Sequence, residues 1–398
     1  MKLYTDNPIS SLKDEKFGFL TYARVLSTTL LESGPLPFCV GIFGAWGSGK
    51  SSFMKMIQLL IQNKPEVRSI WFNPWKYDKK EELWSALIQT ILSTIIVETD
   101  HKPEIKEKAK LLAKTVTWMV LKKAVTTVSA GIVTEPDLDT IAKTMTDKDE
   151  IYYQYVNNFE QDFSFVVERY TDNGKLVIFI DDLDRCLPEN AITVLESLKL
   201  FIGDARCIFV LGMDHYIVEE GIRQRYTNKV TMNGRDYLDK IIQIPFYLPP
   251  VHYKTLEASL KADEASARLS EEVWTIIHAG MEGNPRKTRR FVNCFNLVQS
   301  YLRAPTRDEI LSRGDIPILP EKTQNIYLAK LLVFQISFPD FYVHLNDHPE
   351  DWEFLETNII QAANLEQREK SLDKNPELQK LLQDHPKLQV FMRRTVNT

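Results

Sequence analysis

The sequence predicts an α/β protein in which a parallel β-sheet is sandwiched by helices and followed by a helical region. Three observations carry this expectation. Short apolar runs alternate with helical periodicity between residues 38 and 248, a glycine-rich octapeptide joins the first run to a helix, and strand-like runs stop at Pro249-Pro250. Parallel neighbours need crossover connections, and those crossovers are usually helices. At 398 residues the chain is long enough for about two or three domains.

Residues 12–33 place Phe17, Leu20, Ala23, Val25, Leu26 and Leu30 at helical spacing, and Gly34-Pro35 ends the pattern because proline cannot continue a helix. Phe38-Cys39-Val40-Gly41-Ile42-Phe43 is a continuous apolar run, the pattern of a strand buried on both faces. After the octapeptide a helix extends to about Gln62. Ser69 to Asn73 reads as a second strand, stopped by Pro74, and Leu83 to Val97 as an uncharged helix. Residues 100–150, rich in Lys and Thr, read as a helical insertion between two sheet strands. A helix from Tyr152 to Tyr170, the turn Asp172-Asn173-Gly174 and a third strand, Leu176 to Ile180, follow. The helix Ala191 to Phe201 and strands at Cys207 to Leu211 and Ile241 to Leu248 complete the alternation. Helices are expected over 255–303 and 321–398, with a proline-containing linker between them. The expected domains are therefore 1–250 with an insertion at 78–150, a helical lid at 251–304, and a helical C-terminal region at 305–398.

Composition narrows the function classes. Hydrophobic residues at 44% and charged residues at 26% are ordinary globular values, which excludes a disordered chain and a disulfide scaffold. A net charge of -5 argues against a chain that mainly coats polyanions. Cys39, Cys186, Cys207 and Cys294 form no CxxC pair and read as reduced thiols. The N-terminus lacks the charged head and apolar stretch of a secretory signal. Leu83 to Val97 is too short to cross a membrane, and Leu111 to Val133 is interrupted by Lys114 and Lys122-Lys123. A cytoplasmic protein with no membrane partner is expected. The histidines lack HExxH or other ligand spacing, which counts against zinc chemistry. Trp71, Trp75 and Trp84 fall in or beside apolar elements and read as core rather than as base-stacking platforms.

Gly44-Ala45-Trp46-Gly47-Ser48-Gly49-Lys50-Ser51 matches GxxxxGK[ST], and it lies between a buried strand and a helix. A phosphate chain needs inward-pointing N–H groups, and Gly44, Gly47 and Gly49 let the backbone approach closely. Lys50 is then expected to reach the β and γ phosphates and Ser51 to ligate Mg²⁺, with Ser52 counted among the loop contacts. The alternative is a chance glycine-rich turn, which the flanking strand and helix weigh against. Hydrolysis needs a second acidic site, and Leu176 to Ile180 runs straight into Asp181-Asp182. Asp181 is expected to bind the Mg²⁺ hydration shell, and Asp182 to act as general base or to position water. A solvated turn after a core strand is the rival reading. Asp214 either senses the γ phosphate or caps the helix beginning at His215. Arg223 and Arg225 are either fingers toward a neighbouring subunit or a helix-surface pair.

On these residues the chain resembles the KAP family of P-loop NTPases, a branch of the additional-strand NTPases related to the AAA+ and STAND groups. Beside the loop, Phe72-Asn73-Pro74-Trp75-Lys76-Tyr77 resembles the family's aromatic signature and Asp181-Asp182-Leu183-Asp184-Arg185-Cys186 its acidic motif. Tyr237 to Pro245 and Gly283-Asn284-Pro285-Arg286 resemble later motifs, so the likeness covers roughly residues 5–300. It implies an additional strand between the loop strand and the acidic strand, and ATP as the nucleotide. It also implies that Arg286 acts as a second sensor, although Pro285 to Arg290 is a charge cluster of the kind that faces water. Asp6-Asn7-Pro8 resembles the segment bordering the adenine. Family members often carry transmembrane helices between the loop and the acidic strand; the lysine-interrupted helices here resemble the members without them. Bacterial members include phage-exclusion proteins, and others occur in animal membrane scaffolds.

The function these features lead us to expect is a Mg²⁺-dependent, ATP-binding and ATP-hydrolysing switch, with an anti-phage role by analogy. Its output would be homo-oligomer assembly or engagement of a partner effector protein. Two alternatives stay open: a scaffold that holds ATP without hydrolysing it, and a nucleic-acid-stimulated motor that uses the Arg286 to Arg290 cluster. The net charge counts against the motor.

Overall fold

Five strands, β1 (Phe38–Phe43), β2 (Val67–Phe72), β3 (Lys175–Ile180), β4 (Cys207–Met213) and β5 (Ile244–Tyr247), form one parallel sheet in the order β2-β3-β4-β1-β5. The structure is a computed structural model that describes all residues except 1–2, 33, 35, 78–82, 129–148, 202–204, 227–233, 263–268, 303–318, 361–375 and 396–397. β4 lies between β1 and β3, with Phe43 opposite Met213 and Ile180 opposite Leu211. This is the additional-strand arrangement. Every residue of β1 and β4 is buried, as continuous apolar runs require, whereas β2 and β5 at the edges are partly exposed. Pro245 is accommodated because β5 is an edge strand, where a missing N–H need not break a ladder.

The helices of this unit are α1 (Leu20–Glu32), α2 (Lys50–Ile61), α3 (Leu83–Glu98), α4 (Pro103–Val128), α5 (Asp149–Tyr170), α6 (Pro188–Phe201), α7 (His215–Tyr226) and α8 (Gly234–Asp239). One face of the sheet, through Cys39, Ile178 and Phe209, shares a core with α3 to α8. On α2, Phe53 stacks on Phe246 of β5 at 5.0 Å, and α2 packs on α1. The uncharged α3 is a core helix: Leu87, Ile88, Ile91, Leu92 and Ile95 are all buried. Among the described residues no single helix is long and apolar enough to cross a membrane.

Two elements differ from the periodicity. α1 begins at Leu20 rather than near residue 12, because Gly18 turns the chain at φ +83° and Glu15 Oε1 accepts the N–H groups of Phe17 and Phe19 at 2.6 and 3.1 Å. The fifth strand starts at Ile244, since Ile241 and Ile242 turn back to bond the Leu238 carbonyl at the end of α8. The linker expected at 303–320 and the end of the insertion fall mostly outside the described residues.

Contacts divide the chain into Pro8–Pro249 and a second unit made of Met1–Asn7 with Pro250–Thr398. The second unit contains helices α9 (Tyr253–Lys261), α10 (Glu271–Met281), α11 (Pro285–Leu302), α12 (Glu321–Ser337), α13 (Pro339–Asp347), α14 (Glu350–Phe354), α15 (Pro376–Asp384) and α16 (Pro386–Thr395). Phe334 centres its core, with Phe341, Trp352 and Phe391 edge-on at 4.9, 5.2 and 5.7 Å. Tyr4 is tied to α11 by reciprocal bonds with Asn293, each 2.9 Å. Gly280 lets α10 approach α12 so closely that a Cβ there would stand 2.3 Å from Val333 Cγ1. Gly280→Ala is therefore expected to lower stability by about 1–3 kcal/mol, read as a lower thermal midpoint that Val333→Ala partly restores in the double variant.

Candidate active site

Parallel strands deliver the C-terminal ends of β1, β3 and β4 to one edge of the sheet, and the charged residues lie in the loops there. The loop leaves β1 with the Gly44 N–H bonded to the Met213 carbonyl at 3.3 Å, and α2 starts at Lys50. Gly47 and Gly49 adopt φ +83° and +105°, and a Cβ on Gly44 would sit 2.6 Å from Ser48 Oγ. Ser48 Oγ is itself buried without a hydrogen-bond partner, a polar atom left for an anion in the loop. Ser52 Oγ accepts the Ile9 N–H at 3.4 Å.

Asp181 leaves β3 at the same edge. Its carboxylate accepts the Asp182 N–H at 2.9 Å and has the Ser51 hydroxyl beside it. Burial first, and the neighbouring Asp182 charge second, push its pKa up to about 6 against the pull of Ser51, the Asp182 N–H and Lys50. Room for this carboxylate comes from Gly212 in β4, where a Cβ would stand 2.9 Å from Asp181 Oδ1 and 2.5 Å from Met54 Sδ.

The Lys50 ammonium pairs with Asp184 at 3.0 Å, both side chains being buried, and donates to the Gly44 and Ala45 carbonyls at 2.9 and 3.4 Å. The same Asp184 oxygen accepts the Asp214 N–H at 3.0 Å. Asp214 in turn accepts the Tyr216 N–H at 3.2 Å, so its carboxylate is the N-cap of α7. Asp182, at φ +59°, has its two oxygens divided between Arg185 Nε at 2.8 Å and Asn73 Nδ2 at 2.9 Å. Trp46 and Trp75 flank the Arg185 guanidinium at 5.9 and 5.3 Å.

Trp75 corrects an expectation: it is 56% exposed, because the turn Pro74–Lys76 carries it out of the sheet beside Arg185. Trp71 stacks on Phe179 and Trp84 packs against the core, as expected. Arg223 is exposed and paired with Glu220 at 2.6 Å, and the Arg225 side chain lies outside the described residues. In the second unit, Arg286 Nε lies 3.2 Å from Asp6 Oδ2, which joins the residue proposed as sensor to the segment likened to an adenine border. Cys39 and Cys207 are buried, which pushes their thiols up, and all four cysteines are free.

Sequence reasoning assigned no role to Asn73, Asp184, Arg185 or Gly212. Asp184 and Arg185 carried a signal in the charge density of Asp181 to Arg185, but only the tight turn Leu183–Arg185 reveals which carboxylate faces which cation.

A glycine loop ending in a buried lysine between β1 and α2, with an acid at the end of a strand one place removed, defines a P-loop nucleotide-binding protein. The sequence model of the KAP family P-loop domain matches residues 19–302, and the chain belongs to that family. An uncharacterised protein of Methanocaldococcus jannaschii is 30% identical over 169 residues, 35% of this chain and 87% of that one. The phage T7 exclusion protein of Escherichia coli is 22% identical over 277 residues, which is 61% of this chain and spans only 34% of that protein. Among solved structures, the Aeropyrum pernix ORC2 protein in its ADPNP-ADP complexes aligns over 98% of this chain and 88% of that chain at 14% identity and a TM-score of 0.40.

Removing one member of a buried ion pair leaves the other uncompensated, so Asp184→Ala is expected to destabilise the nucleotide-free chain by about 3 kcal/mol in denaturant titration. An added nucleoside triphosphate should narrow that deficit, since an anion beside Lys50 would replace the lost charge. Gly212→Ala is expected to leave the fold intact and weaken nucleotide binding, measured by isothermal calorimetry.

Proposed function

We propose that the chain is a Mg²⁺-dependent ATPase that works as a switch. The observation that carries this reading is the buried Lys50–Asp184 ion pair at 3.0 Å, with the Ser51 hydroxyl beside the Asp181 carboxylate, which brings the phosphate loop and the acidic segment to one point. Ser51 and Asp181 are the residues that would hold the metal, whose charge neutralises phosphate oxygens when it is bound. The donor set suits it: a hydroxyl and a carboxylate are the hard oxygen ligands Mg²⁺ prefers. Gly44, Ala45, Trp46, Gly47, Ser48 and Gly49 supply the cradle, and the orphaned Ser48 Oγ gains a partner there.

Lys50 serves the β and γ phosphates by exchanging Asp184 for them, so nucleotide binding breaks a contact that ties the loop to the Asp181 to Arg185 segment. Asp182 is the residue that takes a proton from water or positions it, which requires Arg185 or Asn73 to release one of its oxygens. Asp214 and Arg286 are assigned sensing roles, and each would leave its present partner, the α7 N-terminus or Asp6. The helical regions at 251–304 and 305–398 would carry the response to a second copy or to a partner effector protein. Similarity to the phage T7 exclusion protein supports a role in anti-phage defence.

A second reading is favoured by one observation, the engagement of one Asp182 oxygen by Arg185 and of the other by the Asn73 amide: ATP would then be held without turnover by a scaffold.

Lys50→Ala is expected to weaken ATP binding by at least about a hundredfold, and Asp182→Asn to keep binding while losing about 10²–10⁴ in turnover. Full hydrolysis by Asp182→Asn would remove that residue from the chemistry, and absence of turnover in the unaltered chain would favour the scaffold. The Asp181 pKa of about 6 sets a pH window: metal affinity should fall as pH drops through 6, because the protonated carboxyl no longer binds a cation. The sign for stability is opposite. A raised carboxyl pKa means the neutral form is favoured in the fold, so this contribution is fully present below the unfolded value of 3.8 and lost as pH rises through about 6. Asp181→Asn should therefore stabilise the nucleotide-free chain at pH 7.5, and the difference should shrink as pH falls through 6 and vanish below 3.8 in thermal melts.

A further inference from the structure

We propose that His344, His348 and Glu377 form a site for a divalent transition-metal ion of the Zn²⁺ class, apart from the nucleotide chemistry. His344 lies in the last turn of α13 and His348 follows its end four residues on, so both rings emerge on one side, with centroids 4.9 Å apart. Glu377 sits in the first turn of α15. One ligand atom from each of the three lies within 4.8 Å of the others.

The arrangement is supported from behind and from the far end. His344 Nε2 lies 2.6 Å from Asp351 Oδ2, and both side chains are largely buried, at 11% and 8% exposure. A carboxylate on one ring nitrogen fixes the tautomer and ring orientation and raises the basicity of the other nitrogen, as in carboxylate–histidine–metal sites. At the opposite end of the two helices, His385 just past α15 pairs with Asp340 in the first turn of α13 at 3.1 Å. The end of α15 thus meets the start of α13, and the start of α15 meets the end of α13. The helices run antiparallel, held in the register that brings Glu377 to the histidines. Leu378 and Leu382, both buried, anchor α15. Dipoles agree with this placement, since an anion is favoured at a helix N-terminus and cations at a C-terminus.

Two imidazoles and one carboxylate match the donor preference of Zn²⁺, whereas Mg²⁺ and Ca²⁺ favour all-oxygen sets. Three protein ligands leave a position for water or for a group from a bound molecule. The site joins residues on either side of 361–375, so an ion there closes a chain segment and stabilises the folded unit by the free energy of its binding. His344 and His348 stand at the i, i+4 spacing of paired helical metal ligands, a spacing outside the HExxH pattern sought in the sequence.

The test uses the untagged full chain, stripped with EDTA, desalted and titrated with Zn²⁺ and with Co²⁺ without nucleotide. One equivalent is expected to bind, with Co²⁺ visible absorption reporting nitrogen and oxygen ligation and with Zn²⁺ raising the thermal midpoint. His348→Ala and Glu377→Gln, both at exposed positions, should each weaken binding about 10–100-fold while keeping the circular dichroism of the parent. In an Asp181→Asn background the stoichiometry should stay at one, which separates this site from the nucleotide edge. Failure to bind one equivalent, or binding untouched by both substitutions, overturns the proposal and leaves His344 and Asp351 as a structural pair only.

Discussion

Burying an ammonium group is costly unless an anion or several carbonyl oxygens compensate it, and in this chain Lys50 finds both. Asp184 lies 3.0 Å away, and the Gly44 and Ala45 carbonyls complete the shell. The arrangement depends on β4. By separating β1 from β3 it sets the lysine and the acidic segment a strand apart, so that the Leu183–Arg185 turn can fold back over the loop. Because Asp184 also holds the Asp214 N–H, one carboxylate connects the ends of β1, β3 and β4.

Three carboxylates within four residues would repel one another if each lacked a partner of its own. Asp184 takes Lys50, Asp182 takes Arg185 and Asn73, and Asp181 takes the Ser51 hydroxyl and a backbone N–H. Asp181 has no cation in direct contact, and burial together with the Asp182 charge raises its pKa. The carboxylate nearest the loop hydroxyl is thus the one of the three without an ion-pair partner.

Much of this was legible in the sequence. Continuous apolar runs marked the central strands, because a strand covered on both faces has no polar side to display, and the glycine pattern marked the loop because few other residues tolerate its backbone angles. What stayed hidden depended on contacts between distant segments. Nothing local distinguishes Asp184 from Asp182 until the short turn assigns their partners. Gly212 reads as an ordinary glycine in a strand until the Asp181 side chain is seen beside it. Trp75 looks like core because its neighbours are apolar, yet Pro74 breaks the strand and turns it outward. Helix α1 starts late for the same kind of reason, a glycine turn and a glutamate cap overriding periodicity.

The pair of indoles around Arg185 has a consequence of its own. Trp46 belongs to the loop and Trp75 to the Pro74–Lys76 turn after β2, and both are open to water while flanking the cation paired with Asp182. Any rearrangement that frees that carboxylate must change the polarity around at least one of them. The chain therefore carries its own fluorophores beside the Asp182–Arg185 ion pair, and their emission would report without a label whether that pair is intact.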